Sequence, residues 1–228
     1  MIGKQEIFAE RVLGWLGPIP VTETMATSAA TSGLVLAGGA LLAWAVRRRP
    51  DGRLAAAGRL TYRFLRDLAA EAAGRPSPAL EAFAGALFLF IAAAALVGQL
   101  PVIAAPTASL PAAGALAALV FLAVPLAGIR AQGLFGYLRH YFRPNPLLFP
   151  LHLLSELSRT VALTLRLFGN MMSGHLVVAL LVALAGLFVP VPLMALDLLI
   201  GLLQAYIFSV LACVYVGAAI RVGEEVPP

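Results

Sequence analysis

Five stretches of this 228-residue chain are apolar enough and long enough to cross a bilayer as helices. Such a crossing takes about 20 mainly apolar residues. The pattern places the first at about residues 25–46, the second at about 80–100 and the third at about 112–129. A fourth, unusually long stretch runs from 150 to 187, and a fifth from about 193 to 220. Between the first two, residues 51–75 set Arg53, Arg59, Arg63, Arg66 and Arg75 among Leu and Ala. That is the pattern of an amphipathic helix on a membrane surface, its arginines at the lipid headgroups. Uncharged, proline-bearing connectors at 101–111 and 188–192 separate crossings two from three and four from five. Residues 1–23 are mixed, and Gly17-Pro18-Ile19-Pro20 breaks any helix there.

The fourth stretch carries the anomaly. No proline falls between Pro150 and Leu187, so a continuous helix at about 1.5 Å per residue would be roughly 57 Å long. The hydrocarbon core is only about 30 Å thick. The element therefore breaks, or tilts well past the ~20° average; with no proline and only scattered glycines (Gly169, Gly174), tilt is the better reading. Arg166 stands at its centre among Leu163, Leu165, Leu167 and Phe168. An arginine there costs ~2.5–3.5 kcal/mol on insertion scales and is kept where it faces a cavity or a partner.

The remaining polar residues of this helix fall into line with Arg166. At about 100° per residue, His152, Ser155, Arg159, Asn170 and Ser173 lie within ~40° of it, with Glu156 at the edge at ~80°. His175 points the opposite way, at ~180°. Two polar faces on one apolar helix point to two separate wet environments. In the last stretch Asp197, Gly201, Gln204, Phe208 and Tyr215 also lie within ~40° of one another. Asp197 is the only acid there and stands near the 188–192 turn, so a hairpin brings it to the depth of His175.

Composition agrees: 61% of residues are hydrophobic and 12% charged, against about 25% charged in soluble domains. The formal charge of +5 does not signal nucleic acid, because the basic residues cluster in loops. Eight of the 16 lie between Arg47 and Arg75 and three more between Arg130 and Arg143. By the positive-inside rule these segments are cytoplasmic. The reading is an all-α integral membrane protein with five crossings plus an amphipathic cytoplasmic-surface helix. Two long, strongly tilted C-terminal helices form a hairpin, the N-terminus is periplasmic and the C-terminus cytoplasmic. Residues 1–149 hold the N-terminal spans and the cytoplasmic segment, and 150–228 the tilted helix hairpin, to which the resemblance given below assigns ion translocation. The setting is a bacterial plasma (inner) membrane. The N-terminus lacks the features of a signal peptide. No internal repeat is visible, which argues against the many secondary transporters built from duplicated halves. Cys213, the single cysteine, sits in an apolar run and reads as a small buried hydrophobe.

LRLFGNMMSGH at 165–175, with LLQAYIFSVLACVYV at 202–216, resembles subunit a of F-type ATP synthase, the membrane stator of a rotary machine. The resemblance is close over the C-terminal third and topological elsewhere; the short N-terminal part and Ser158-Arg159-Thr160 look most like the N-type branch. It implies that Arg166 is the family's essential arginine, Asn170 its asparagine one turn later and Gln204 its last-helix glutamine. His175 and Asp197 match a paired histidine and acid. Thr160 and Ala162 stand where relatives often have Pro and Ser, and His152 where an acid is common, with Glu156 the nearest carboxylate. These departures bear on the inner access path. The resemblance also implies partners: a rotor ring of c subunits, each with a membrane carboxylate, and peripheral-stalk b subunits, all in the lipid bilayer. It implies no ATP chemistry, cofactor or metal in this chain.

The chemistry follows. Arg166 has no carboxylate near it on its stripe. Opposite charges ~4 Å apart attract by about 4 kcal/mol at an effective dielectric near 20, enough to keep a passing rotor acid ionised. Arginine suits the role because it cannot lose its own proton. The bland alternative is a snorkelling or internally paired arginine. His175 and Asp197 line an outer proton path, or else form a structural hydrogen-bonded pair. Gln204 bridges near the rotor, or packs as a helix–helix amide. His152, Ser155, Glu156 and Arg159 border an inner path, or sit at headgroup level. Trp15, Trp44, Tyr206 and Tyr215 read as packing or interfacial residues. Competing classes are a sodium-translocating N-type version of the same subunit, a stand-alone carrier binding an anion at Arg166, and an assembly factor without transport.

Overall fold

The computed structural model describes residues 12–16, 19–74, 77–100, 106–141, 149–186 and 189–221. Its helices are α1 (Glu23–Arg48), α2 (Arg53–Ala73), α3 (Pro78–Gly98), α4 (Leu110–Tyr141), α5 (Phe149–Ala185) and α6 (Val191–Arg221). All but α2 contain a stretch long and apolar enough to cross a membrane. The chain is an all-α integral membrane protein, as the hydropathy pattern predicts. A short antiparallel ladder, β1 (Val12–Leu16) with β2 (Ile19–Thr22), precedes α1. The sequence signalled only a helix break there, and proline tolerates a two-stranded edge where it does not tolerate a helix.

Local chemistry accounts for the helix ends. The Thr22 hydroxyl accepts from the Met25 N–H at 3.3 Å and caps α1. Glu23 in its first turn and Arg47 and Arg48 in its last oppose the helix dipole. α2 stops at Gly74, in the left-handed region at φ 72°, whose N–H returns to the Ala70 carbonyl at 2.8 Å. The Arg221 guanidinium lies over Gly74 and donates to the Ala73 carbonyl, so α6 supplies the positive charge at the C-terminus of α2. α4 runs past Pro125 and is broken at Gly133 (φ 75°, ψ 163°), then continues to Tyr141. The basic segment expected as a loop from Arg130 is therefore helical through Arg139 and His140; Arg143 lies outside the described residues. The Gln132 amide donates to the Ala219 carbonyl at 3.1 Å and ties the break to the end of α6.

α5 runs unbroken for 37 residues. That removes the broken-helix alternative, and by length alone the helix exceeds the hydrocarbon core unless it tilts. The hydroxyls of Thr160, Thr164 and Ser173 donate to carbonyls one turn back, which leaves no free hydroxyl donor at those positions.

α6 packs against α2, α3, α4 and α5 and is the centre of the bundle. One core joins Leu87 and Ile91 of α3, Ala117 and Val120 of α4, Leu163 and Leu167 of α5, and Phe208 of α6. A second joins Leu68 and Ala73 of α2 to Leu80, Val124, Cys213 and Val216. Cys213 is a fully buried free thiol, as its apolar run predicts. The surface helix α2 thus does more than rest on lipid. Arg53, Arg59, Arg63 and Arg66 are exposed while Leu65, Leu68, Ala69 and Ala73 are buried against the bundle. Gly217 permits this approach, since a Cβ there would stand 3.1 Å from the Ala73 backbone.

Candidate functional site

The packed face of α5 is defined by Leu163, Leu167 and Met171, all buried. Around the helix these sit about 60°, 100° and 140° from Arg166. Arg166 is therefore off the packed face, and it is exposed. Ser155, Ala162, Gly169 and Ser173, exposed on the same side, are all small. Arg159, Asn170 and Glu156 lie toward the packed side and are half-buried. No hydrogen bond or ion pair joins Arg166 to any described residue. Arg166 is thus an exposed cation without a partner among the described residues.

Beside Arg166, α5 and α6 leave an open cleft of about 360 Å³, lined among others by Ser155, Ser158, Arg159, Arg166 and Tyr215. The Arg159 guanidinium carbon sits 4.0 Å from the centroid of the Tyr215 ring, a cation–π contact. Glu156, Arg159, Thr160 and Tyr215 also line a smaller cavity against Val120, Phe121 and Val124 of α4. Of the residues singled out at this end, Ser155 and Arg159 line the cleft beside Arg166 and Glu156 lines the smaller cavity, with Arg159 and Tyr215 common to both. The side chain of His152 lies outside the described residues.

Toward the α5–α6 turn stands Asp197, half-buried on α6. The Gln99 amide, just past α3, donates to its Oδ2 at 3.0 Å. Its Oδ1 lies against Gly174 of α5, where a Cβ would stand only 2.0 Å away. The side chain of His175 lies outside the described residues, so the expected pairing with Asp197 is not among the contacts described. One turn along α6, Gly201 lets α3 and α5 in: a Cβ there would stand 2.7 Å from Ala95 and 3.4 Å from the Met171 methyl.

Gln204 and Asn170 lie near this close contact, and among the described residues their buried amide nitrogens have no hydrogen-bond partner, nor has the buried Ser209 hydroxyl. A buried unsatisfied donor costs about 1–3 kcal/mol, and such donors are matched by water or by a partner's groups. The polar line of α6 faces inward: Gly201, Gln204 and Phe208 are buried. Among the described residues no three His, Cys, Asp or Glu side chains converge as metal ligands would.

Sequence reasoning gave Tyr215 only a packing or interfacial role and Gly174 none at the site, and it did not single out Gln99. Tyr215 lay on the polar line of α6, and Gln99 is the lone polar side chain between residues 82 and 106. Both signals were present without the packing that gives them meaning.

Residues 25–217 match the family model described as the ATP synthase A chain. The chain is 42% identical over 216 residues to "ATP synthase subunit a 2" of Bradyrhizobium sp. strain BTAi1, covering 90% of this chain and 92% of the relative. It is 51% identical over 150 residues to "ATP synthase subunit a 2" of Picosynechococcus sp., covering 66% and 64%. It is 50% identical over 139 residues to "ATP synthase subunit a" of Albidiferax ferrireducens, covering 61% and 60%. The chain belongs to the ATP synthase A chain family, the membrane stator subunit of the F-type ATP synthase.

Proposed function

We propose that this stator carries protons to and from carboxylates on a rotor ring of c subunits, through two offset half-channels kept apart by Arg166. The observation that carries the reading is the exposed guanidinium of Arg166, mid-way along an apolar helix and without a counter-ion among the described residues of its own chain. An arginine so placed is stable in a bilayer only when another molecule or an aqueous space meets it. The small side chains on either side of it leave room for a neighbouring helix to approach. A rotor carboxylate brought to this face stays ionised while beside the cation. Between these encounters it takes up or gives up a proton through whichever path it faces.

The outer path runs by Asp197 and His175 toward Gln204 and Asn170, whose buried amides await water or a rotor group. The inner path runs by Ser155, Glu156, Arg159 and His152 and through the cleft that Ser155 and Arg159 border with Arg166. Residues 1–149 hold the N-terminal spans and the cytoplasmic amphipathic segment, 150–228 carry the ions, and b subunits of the peripheral stalk are the static partners. The basic clusters set the orientation, N-terminus periplasmic and C-terminus cytoplasmic, in a bacterial plasma membrane.

The test uses inverted membrane vesicles carrying the assembled complex. Arg166→Ala abolishes ATP-driven proton pumping and proton-driven ATP synthesis, while the amount of assembled subunit is unchanged. Coupled pumping that survives Arg166→Ala overturns the reading. Pumping that requires added sodium assigns the sodium ion instead.

A further inference from the structure

We propose that Gln99 is a positioning residue for the Asp197 carboxylate and fixes which of its two oxygens exchanges the proton. The inference rests on the reading that Asp197 lies on the outer half-channel. It starts from the one side chain-to-side chain hydrogen bond reaching Asp197 from a described residue, Gln99 Nε2 to Oδ2 at 3.0 Å, which spans 98 positions of sequence.

The geometry behind this bond is built by backbone packing. α3 and α6 run antiparallel, and their closest approach pairs Ala95 with Gly201, where a Cβ on Gly201 would stand 2.7 Å from the Ala95 Cβ. One turn further in each helix brings residue 99 to residue 197. Gln99 is the C-cap of α3, at φ −73° and ψ −11°, and its own N–H is taken up by the carbonyls of Leu96 and Val97. Its backbone is therefore held by the helix, and its side chain is left to reach α6.

On the other side of the carboxylate, Oδ1 fits into the space that Gly174 leaves by having no Cβ. The two oxygens thus have different surroundings. Oδ2 is occupied by an α3 amide, and Oδ1 faces α5 with no hydrogen bond from a described residue. An amide N–H on one oxygen favours the ionised form and leaves the other oxygen to take the proton. With the proton on Oδ1, Oδ2 is still an acceptor, so the same amide N–H holds it without rearrangement. Gln99 holds the group in place in both protonation states, which neither a leucine nor a lysine does. The proton therefore enters and leaves by Oδ1, on the α5 side, next to the stretch that holds His175. In the halves of α3, α4, α5 and α6 that meet at this end, the other titratable side chains are His175 and, at the midpoint of α6 and on the face of that helix opposite Asp197, Tyr206.

The test is the pH profile of ATP-driven proton pumping by the assembled complex in inverted vesicles, with the pH varied on the side facing Asp197. Gln99→Leu is expected to raise the midpoint of the pH profile of pumping and to slow pumping several-fold at neutral pH, with the subunit assembled normally. Gln99→Asn, whose amide is one methylene short, is expected to give a smaller shift in the same direction and keeps the test open should the leucine variant fail to assemble. A midpoint unchanged from the parent in both variants overturns the inference, whether or not the amplitude falls. Asp197→Asn separates this outcome from the underlying reading. If Asp197→Asn pumps as the parent does at every pH, the half-channel assignment fails. If Asp197→Asn is impaired and the Gln99 variants keep the parent midpoint, only the role given to Gln99 fails.

Discussion

At the scale of single residues, function depends on polar groups placed where hydrocarbon would otherwise be. Arg166 is exposed on α5 and has no partner among the described residues of its own chain, whereas Arg159, two turns away on nearly the same line, rests on the Tyr215 ring at 4.0 Å. The two arginines are thus in different states: one is already matched and the other is kept available. A cation–π contact is worth about 0.5–2 kcal/mol. Tyr215→Phe, which keeps the ring, is expected to pump like the parent, while Tyr215→Leu slows ATP-driven pumping several-fold; equal activity in both variants removes the contact from the account. Gly174 is a second sensitive position, for a different reason. Any Cβ there meets Oδ1 of Asp197, so Gly174→Ala displaces the carboxylate at about 1–3 kcal/mol, typical of overpacking. Pumping measured against the amount of assembled subunit is expected to fall about tenfold or more; full pumping shows that the carboxylate has room to move.

At the scale of elements, the sequence already displayed what is periodic or local. The five crossings, the arginine-bearing α2 and the line joining Ser155, Arg159, Arg166, Asn170 and Ser173 are properties of one segment each, and hydropathy or helical spacing reveals them. The Gln99–Asp197 bond and the Arg159–Tyr215 contact are not such properties. They join residues far apart in sequence, and only the antiparallel packing of α6 against its neighbours creates them. The helical continuation to Tyr141 was hidden because a cluster of charges reads as a loop, although a single glycine break is enough to turn a helix and let it resume. α2 was legible as amphipathic but not as packed, since lipid and a protein groove ask for the same apolar face. Gly217 is where that distinction is tested. Replacing it with leucine pushes α2 off α6 at the Ala73 backbone and is expected to lower the thermal stability of the detergent-solubilised complex. Gly38→Ala, where a Cβ meets nothing within 4 Å, is the matched control and is expected to leave stability unchanged.

At the scale of the whole molecule, α6 is the hub and α5 is the face held out for a partner. α6 contributes buried residues from Gly201 to Gly217, whereas α5 buries only Leu163, Leu167 and Met171 among its described side chains. A long apolar helix with one packed stripe and one exposed stripe bearing a cation fits the proposed encounter with a rotor carboxylate. The proposed orientation follows from charge. A cysteine introduced at Arg63, exposed on α2, is expected to react with a membrane-impermeant thiol reagent in inverted vesicles and not in intact cells; the reverse pattern inverts the topology.

The most direct measurement of the central claim is a structure of the assembled membrane sector in lipid, resolved well enough to place the Arg166 side chain. The account predicts that its guanidinium lies within about 4 Å of a carboxylate carried by a rotor subunit, or of water leading to one, close enough for an attraction of a few kcal/mol. A guanidinium paired with an acid of its own chain, or turned toward acyl chains with no protein or water beside it, contradicts the account.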